Sequence, residues 1–211
     1  MYLPKHFEQN DAQALAALMR EHPLAALVTV QDGAPTADHI PLQYDAAAGV
    51  LRGHVARANP LWRAADGQAV LAIFRGAQAY VSPSWYPAKA EHHKVVPTWN
   101  YAVVHVHGRL RAVDDAPWLH ELVSGLTAWQ EAPQPAPWAV ADAPVDYVQQ
   151  MLRAIVGIEI AVERLVGKWK LSQNRSEADR LGVAAALASQ PEGAADARAM
   201  VDLVRNSSRP D

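Results

Sequence analysis

The chain has no cysteine. Disulfides, thiolate nucleophiles and cysteine-based metal sites are therefore excluded. It also lacks any run of about 18 apolar residues, so no membrane-spanning helix is expected. The N-terminal stretch MYLPKHFEQND has no apolar signal core, and the expected location is the cytoplasm. Nor is there an excess of basic charge. Nineteen Lys and Arg stand against 22 Asp and Glu, a net charge of -3. That balance lacks the basic footprint of a nucleic-acid binder, although a local basic patch stays open. The glycine-rich phosphate cradles GxGxxG and GxxxxGK[ST] are missing. So are the GxSxG elbow and HExxH.

What remains is a 211-residue chain, half hydrophobic and 19% charged. It can build a substantial core as one domain with appendages, or as two small ones. Asn10 or Asp11 can cap a helix carrying Leu15, Leu18, Met19 and His22, stopped by Pro23. Leu24 to Val30 reads as a buried strand, and Asp32-Gly33 as a hairpin turn leading to a partner strand over residues 35–44. Pro41 within that partner implies an edge, a bulge or a ligand-facing interruption. Val50 to Val55 is a third strand. Val70–Phe74 and Ala79–Val81 read as separate strands around Arg75-Gly76. Residues 88–96, with Lys89, Glu91, His92, His93 and Lys94, read as a polar surface loop able to act as a lid. Thr98 to Val113 is the longest strand signal. Val104, Val106, Leu110 and Ala112 share one face; Tyr101, Val103, His105, His107, Arg109 and Arg111 share the other. Asp115 and Pro117 open an amphipathic helix, Val145 to Arg153 is a second, and Ile158, Ile160 and Val162 mark the last core strand. Ser176 with Asp179 resembles a capping box for a helix through Leu187, and residues 191–211 can add a short one. Short turns between six or seven strands favour a small antiparallel barrel.

The stretch Leu51 to Trp62, LRGHVARANPLW, organises the chain. A strand carries Arg52 and His54 on one face and ends at Arg57. Asn59-Pro60 then opens a helix, with Asn59 as N-cap. Unpaired backbone N–H groups beside Arg52, His54 and Arg57 can hold a phosphate or carboxylate. The alternative is a plain strand–turn–helix with solvated arginines. Nine histidines raise a metal site: His105 with His107 on one strand, His39 and His54 on neighbouring ones. No Cys/His or carboxylate spacing supports it, so no metal is expected. Haem ligation by His92-His93 or His105 is a related option. Ser82 and Ser84 in SPSWYP are explained by local structure, and hydrolysis is discounted. Tryptophans beside basic or amide residues suit a flat anionic ligand: Trp62 with Arg63, Trp85 a loop away from Lys89, Trp99 with Asn100, Trp169 with Lys168 and Lys170. Trp118, at helix-core spacing, is a packing residue.

The blocks MYLPKHF, LRGHVARANPLW, YVSPSWY, KVVPTWNYAVVHVHGRL, MLRAIVGIEI and GKWKLSQNR, in that order, resemble the PaiB-like family of FMN-binding proteins, often labelled negative transcriptional regulators. The resemblance runs from Met1 to about Leu187. It implies an α+β, mainly antiparallel fold: a split β-barrel with peripheral helices, related to the pyridoxamine-phosphate oxidase group. It also implies a homodimer with FMN at the subunit interface. Carried onto this sequence, residues 38–41, Arg52 and His54 flank the flavin, with His39 and His54 at the ring or ribityl chain. Val55 to Asn59, through Arg57 and the backbone near Asn59, holds the phosphate. Trp99, Asn100, Lys170, Gln173 and Arg175 complete the site, some from the partner chain. The expected organisation is an FMN-binding domain over residues 1–175, with helices inserted at 115–153, and a helical appendage over 176–211. The expected function is flavin-dependent redox chemistry with no obligatory acid or base from the protein. A PaiB-type regulator and a haem-binding or haem-degrading protein are the alternatives. No helix-turn-helix is evident, and the net charge gives DNA no general attraction.

Overall fold

The computed structural model describes residues 1–190 and 195–207. After a single turn of 3₁₀ helix (Lys5–Phe7), the elements in chain order are β1 (Glu8–Gln9), α1 (Ala12–Glu21), β2 (Leu24–Gln31), β3 (Ala34–Pro41), β4 (Gln43–Asp45), β5 (Val50–Ala56), α2 (Leu61–Ala64), β6 (Ala69–Val81), α3 (Ala88–His92), β7 (Thr98–Val113), α4 (Ala116–Glu131), α5 (Val145–Arg153), β8 (Ile155–Lys170), α6 (Glu177–Ala188) and α7 (Ala195–Asn206). They form two compact units. The first comprises Met1–Leu18, Arg75–Val104 and the described part of Val166–Asp211; the second comprises Met19–Phe74 and His105–Leu165. The chain passes from one to the other within α1, β6, β7 and β8.

In the second unit the strands follow the order β3-β2-β6-β7-β8-β5-β4. The β2–β3, β2–β6, β4–β5 and β5–β8 pairings are antiparallel. The fold is α+β and mainly antiparallel. Asp32 and Gly33 both take positive φ, 51° and 78°. These are the values a two-residue hairpin needs for its twist to match that of the strands. Pro41 ends the terminal strand β3, where its missing N–H leaves no ladder bond unmade. Residue 42 breaks the expected partner strand, and β4 pairs with β5 instead. At Gly53 a β-carbon would stand 2.7 Å from the Pro41 carbonyl oxygen and 2.7 Å from Leu42 Cδ2. Glycine here lets β5 lie against the end of β3. The ladder nonetheless stops at β3 and β4, so the barrel is split rather than closed. Its core is built from fully buried Leu27, Leu42, Leu51, Phe74, Leu110, Ile158 and Ile160. Helix α4 starts at Asp115, whose Oδ1 accepts from Trp118 N at 2.8 Å. It lays Trp118 over Gly157, where a β-carbon would be 2.2 Å from the ring.

In the first unit β1 pairs antiparallel with the end of β8, Glu8 opposite Lys168. Gly167 allows this approach, because a β-carbon would meet Leu15 at 2.3 Å and the Gln9 carbonyl at 2.6 Å. Asp11 caps α1 through Gln13 N at 2.8 Å. Ser176 Oγ accepts from Asp179 N at 3.2 Å to start α6. The Asp179 carboxylate itself turns to Ala88 N, 3.1 Å away, and anchors α3.

Other expectations change. Residues 88–96, expected as a surface loop, begin with the short helix α3 (Ala88–His92). Val70–Phe74 and Ala79–Val81 are one 13-residue strand running through Arg75-Gly76. Gly76 keeps strand geometry because Leu18 packs where its side chain would stand, 2.9 Å from a β-carbon. The last core strand runs on through Gly167-Lys168-Trp169-Lys170. That segment therefore alternates faces: Trp169 and Leu171 are on one side, Lys168 and Lys170 on the other. Residues 191–194 and 208–211 of the expected C-terminal helix lie outside the described residues.

Candidate functional site

The second unit carries His39, Arg52, His54, Val55, Arg57 and Asn59. β5 sets Arg52 and His54 two residues apart on one face and turns Val55 into the core. The Arg52 Nε donates to Glu159 at 2.9 Å and its NH1 to Asp45 at 3.1 Å. Arg111 approaches Glu159 from the other side at 2.8 Å. Burial works to raise the Glu159 pKa, but hydrogen bonds from Arg111 and Arg52 outweigh it and hold the carboxyl below its ordinary value. Arg57 is held more completely. Its two terminal nitrogens clasp the Asp114 carboxylate at 2.7 and 2.6 Å, and its Nε and NH2 reach the carbonyls of Arg153 and Ile155. A bidentate pair of this kind fixes the guanidinium plane. Neither arginine offers an uncommitted positive charge.

Asn59 ties the following turn. Its Oδ1 accepts from Leu61 N at 2.9 Å, and its Nδ2 donates to Asp38 at 2.8 Å. Trp62 Nε1 closes on the Arg57 carbonyl at 3.0 Å. Two histidines keep free groups. His39 is exposed on the edge strand β3. His54 Nδ1 is buried with no hydrogen-bond partner among the described residues, and burial lowers its pKa.

The first unit brings Trp99, Asn100, Lys170, Gln173 and Arg175 together. β7 presents Thr98 to Tyr101, and the end of β8 lies beside it. Lys170 Nζ donates to Thr98 Oγ1 and, at 2.6 Å, to the Trp99 carbonyl. Asn100, 0% exposed, exchanges hydrogen bonds with Ser172 at 3.1 and 3.2 Å. The turn after β8 puts Ser172 at φ 66°, a conformation uncommon for a residue with a β-carbon. Gln173 locks that turn: its Oε1 accepts from Leu171 N at 2.7 Å and its Nε2 donates to the Trp169 carbonyl at 2.6 Å. Arg175 lies over the Tyr86 ring, 5.0 Å from its centroid. The Tyr86 hydroxyl is buried with no hydrogen-bond partner among the described residues. Burial pushes its pKa up, against the pull of nearby Arg175.

Charge balance distinguishes this group. Lys168, only 7% exposed, donates to the Tyr2 carbonyl at 3.0 Å and lies near the rings of Tyr2 and Tyr101. Burial, then Lys168, then Arg175 depress the Lys170 pKa. Among the described residues, none of Lys168, Lys170 and Arg175 forms an ion pair with a carboxylate. Crowded, part-buried cations without a counter-charge suit an anionic ligand. Exposed Trp99, 6.1 Å from Tyr80 edge to face, adds flat aromatic surface. FMN carries a flat ring system and a phosphate, and this donor set fits both ends. Nothing in the sequence pattern marks Tyr86, Ser172 or Tyr101 as site residues. Tyr86 was masked by the prolines of SPSWYP, which explain that loop structurally.

Among the described residues no three His, Asp or Glu side chains group as metal ligands. No helix among them is long and apolar enough to cross a membrane.

The family described as "Putative FMN-binding domain" matches residues 1–164. The chain is similar to protease synthase and sporulation protein PAI 2 of Bacillus subtilis, 32% identical over 98% of this chain and 97% of that protein. It is also similar to an uncharacterized protein of Emericella nidulans, 34% identical over 87% of this chain and 88% of that one. Among solved structures it superposes on an FAD and heme binding protein from Mycobacterium smegmatis. That match has TM-score 0.60 and 17% identity, covering 77% of this chain and 73% of the other. The flavocytochrome Anf3 from Azotobacter vinelandii gives TM-score 0.59 at 13% identity, over 80% and 72%. The fold is thus the split barrel of flavin-binding proteins, and the chain belongs to the FMN-binding domain family that includes the PaiB homologues, with FMN as its cofactor.

Proposed function

We propose that this chain is a cytoplasmic, homodimeric flavin-dependent redox protein whose FMN phosphate rests on Lys170 and Arg175, with the flavin at the subunit interface. The observation that carries this reading is that Lys168, Lys170 and Arg175 of the first unit have no carboxylate partner among the described residues. Arg52 and Arg57, by contrast, are already neutralised. A phosphate that displaced Asp114 from Arg57 would have to break two charge-assisted hydrogen bonds before forming any of its own.

In this arrangement Lys170 and Arg175 neutralise the phosphate, and the buried charge of Lys168 adds to the field. Thr98 and the main-chain carbonyl of Trp99 orient the Lys170 ammonium. Gln173 and Asn100 hold the turn that carries Ser172 and Arg175. Trp99 supplies a flat wall. His39 and His54 of the second unit, with Val55 and Asn59 beside them, are a separate candidate contact for a ring or ribityl group. Arg52 and Arg57 act as the frame of that segment. FMN, when bound, supplies the electron-transfer chemistry, and the protein binds and tunes it.

The test is a titration of FMN and of riboflavin, which lacks the phosphate, against wild type, Lys170→Ala, Arg175→Ala and Arg57→Ala. Loss of a hydrogen bond to a charged group weakens binding by about 10-fold or more. Lys170→Ala and Arg175→Ala are expected to lose that much for FMN and little for riboflavin. Equal FMN affinity in those two variants, with a large loss in Arg57→Ala, would move the phosphate to the second unit. A Soret band on haem addition with no flavin retention would replace FMN by haem. Binding to duplex DNA with a steep salt slope and sequence preference would support the regulator reading instead.

A further inference from the structure

On the side of β8 that carries Trp169 and Leu171, opposite Lys168 and Lys170, the first unit has a second cleft of about 430 Å³. That volume is within the range of small-molecule sites. Three separate segments wall it: residues 5–9, the end of β8 and the end of α7, with Ala14 of α1 at its side. Its floor is apolar, made by nearly buried Trp169 and Leu171 with Leu203. Its rim is polar, and of the rim side chains Gln9, Gln173 and Ser207 are hydrogen-bonded within the chain. Among the described residues the side chains of Lys5, Glu8 and Asn206 have no hydrogen bond or ion pair, and His6 makes only a ring contact with Phe7. A cation, a carboxylate and an amide therefore face one apolar floor.

From this geometry we infer that the cleft is a second ligand site, for a small amphiphilic zwitterion of amino-acid or dipeptide chemistry. Lys5 receives the carboxylate, Glu8 the ammonium, and the apolar side chain lies on Trp169 and Leu171. An organic acid would leave Glu8 facing its anion, and an amine would leave Lys5 facing its cation. Only a molecule with both charges complements both. The cleft shares Gln173 with the proposed FMN site, but that side chain is engaged in its own turn and the groups argued from here, Lys5, Glu8, Trp169 and Leu171, are given no part in holding FMN.

Calorimetry on the protein as purified tests this, with L-phenylalanine as the probe beside 3-phenylpropionate, which lacks the amine, and phenethylamine, which lacks the carboxylate. Trp169 provides a parallel fluorescence signal. Phenylalanine is expected to bind saturably at millimolar or lower concentration, and each single-charge analogue more weakly. Lys5→Ala and Glu8→Ala change exposed side chains and leave folding intact. Lys5→Ala weakens phenylalanine and phenylpropionate by about twofold to fivefold and leaves phenethylamine unchanged. Glu8→Ala does the reverse. Ala14→Phe, which fills the cleft, abolishes all three. Absence of saturable binding would overturn the proposal. So would binding indifferent to Lys5→Ala and Ala14→Phe, or tightest binding by phenylpropionate.

Discussion

Asn100→Ala separates what holds the first unit together from what it binds. Asn100 is wholly buried, and its amide exchanges two hydrogen bonds with Ser172, which is itself 4% exposed. Truncation removes both bonds and leaves the buried Ser172 hydroxyl without its amide partner. Such an orphaned group costs about 1–3 kcal/mol. For a chain of this length 1 kcal/mol shifts Tm by about 2–4 °C, so a central cost of about 2 kcal/mol lowers it by about 4–8 °C. Ser172→Ala orphans the Asn100 amide in the same way. The double variant leaves no orphan, and replacing both partners can be nearly neutral. It should therefore lose less than the two single variants together, by a coupling of about 0.5–3 kcal/mol. Thermal unfolding followed by circular dichroism reads all four proteins. FMN affinity should fall in both single variants, because Ser172 belongs to the turn that places Lys170 and Arg175. A Tm unchanged in Asn100→Ala, or a double variant equal to the sum of the singles, would refute the pairing.

Other outcomes follow from the same geometry. Gly108→Ala should be among the most damaging small substitutions, since a β-carbon would stand 2.3 Å from the Ala161 carbonyl. Overpacking against backbone costs about 1–3 kcal/mol or more, visible as lost soluble yield or lowered Tm. His54 is neutral in the fold because burial lowers its pKa, whereas the unfolded chain protonates near its ordinary value. Its contribution is present above about pH 6.5 and is lost as pH falls toward the lowered folded value, and His54→Gln should flatten that part of a Tm–pH curve. Lys170 has a pKa lowered by burial, then by Lys168 and Arg175. FMN affinity should therefore hold at neutral pH and decline in alkali before an ordinary lysine would deprotonate; Lys170→Arg should keep it.

Much of the fold was legible because its signals are local. β7 follows from alternation over Thr98–Val113, α5 from its apolar spacing, and the first hairpin from Asp32-Gly33. Gly76 misled because a glycine inside a strand pattern resembles a turn; its reason, the packing of Leu18, lies 58 positions away. The end of β8 was hidden because Glu163-Arg164 and Gly167 interrupt the apolar rhythm, although the ladder with β1 continues there. In the site, residue types were readable and partners were not. Arg57 is a basic residue at a strand end, which suggests an anion, but Asp114, which neutralises it, is 57 residues further on. The lysines and arginine of GKWKLSQNR stand out in the sequence; that no carboxylate among the described residues pairs with them is visible only in the fold.

The central claim is tested most directly by the absorbance spectrum of wild type, Lys170→Ala and Arg175→Ala after saturation with FMN and desalting. The account predicts flavin bands retained at about one FMN per chain in wild type and largely lost from both variants, with unchanged circular dichroism. Colourless wild-type protein, or variants that keep FMN as well as wild type does, would contradict it.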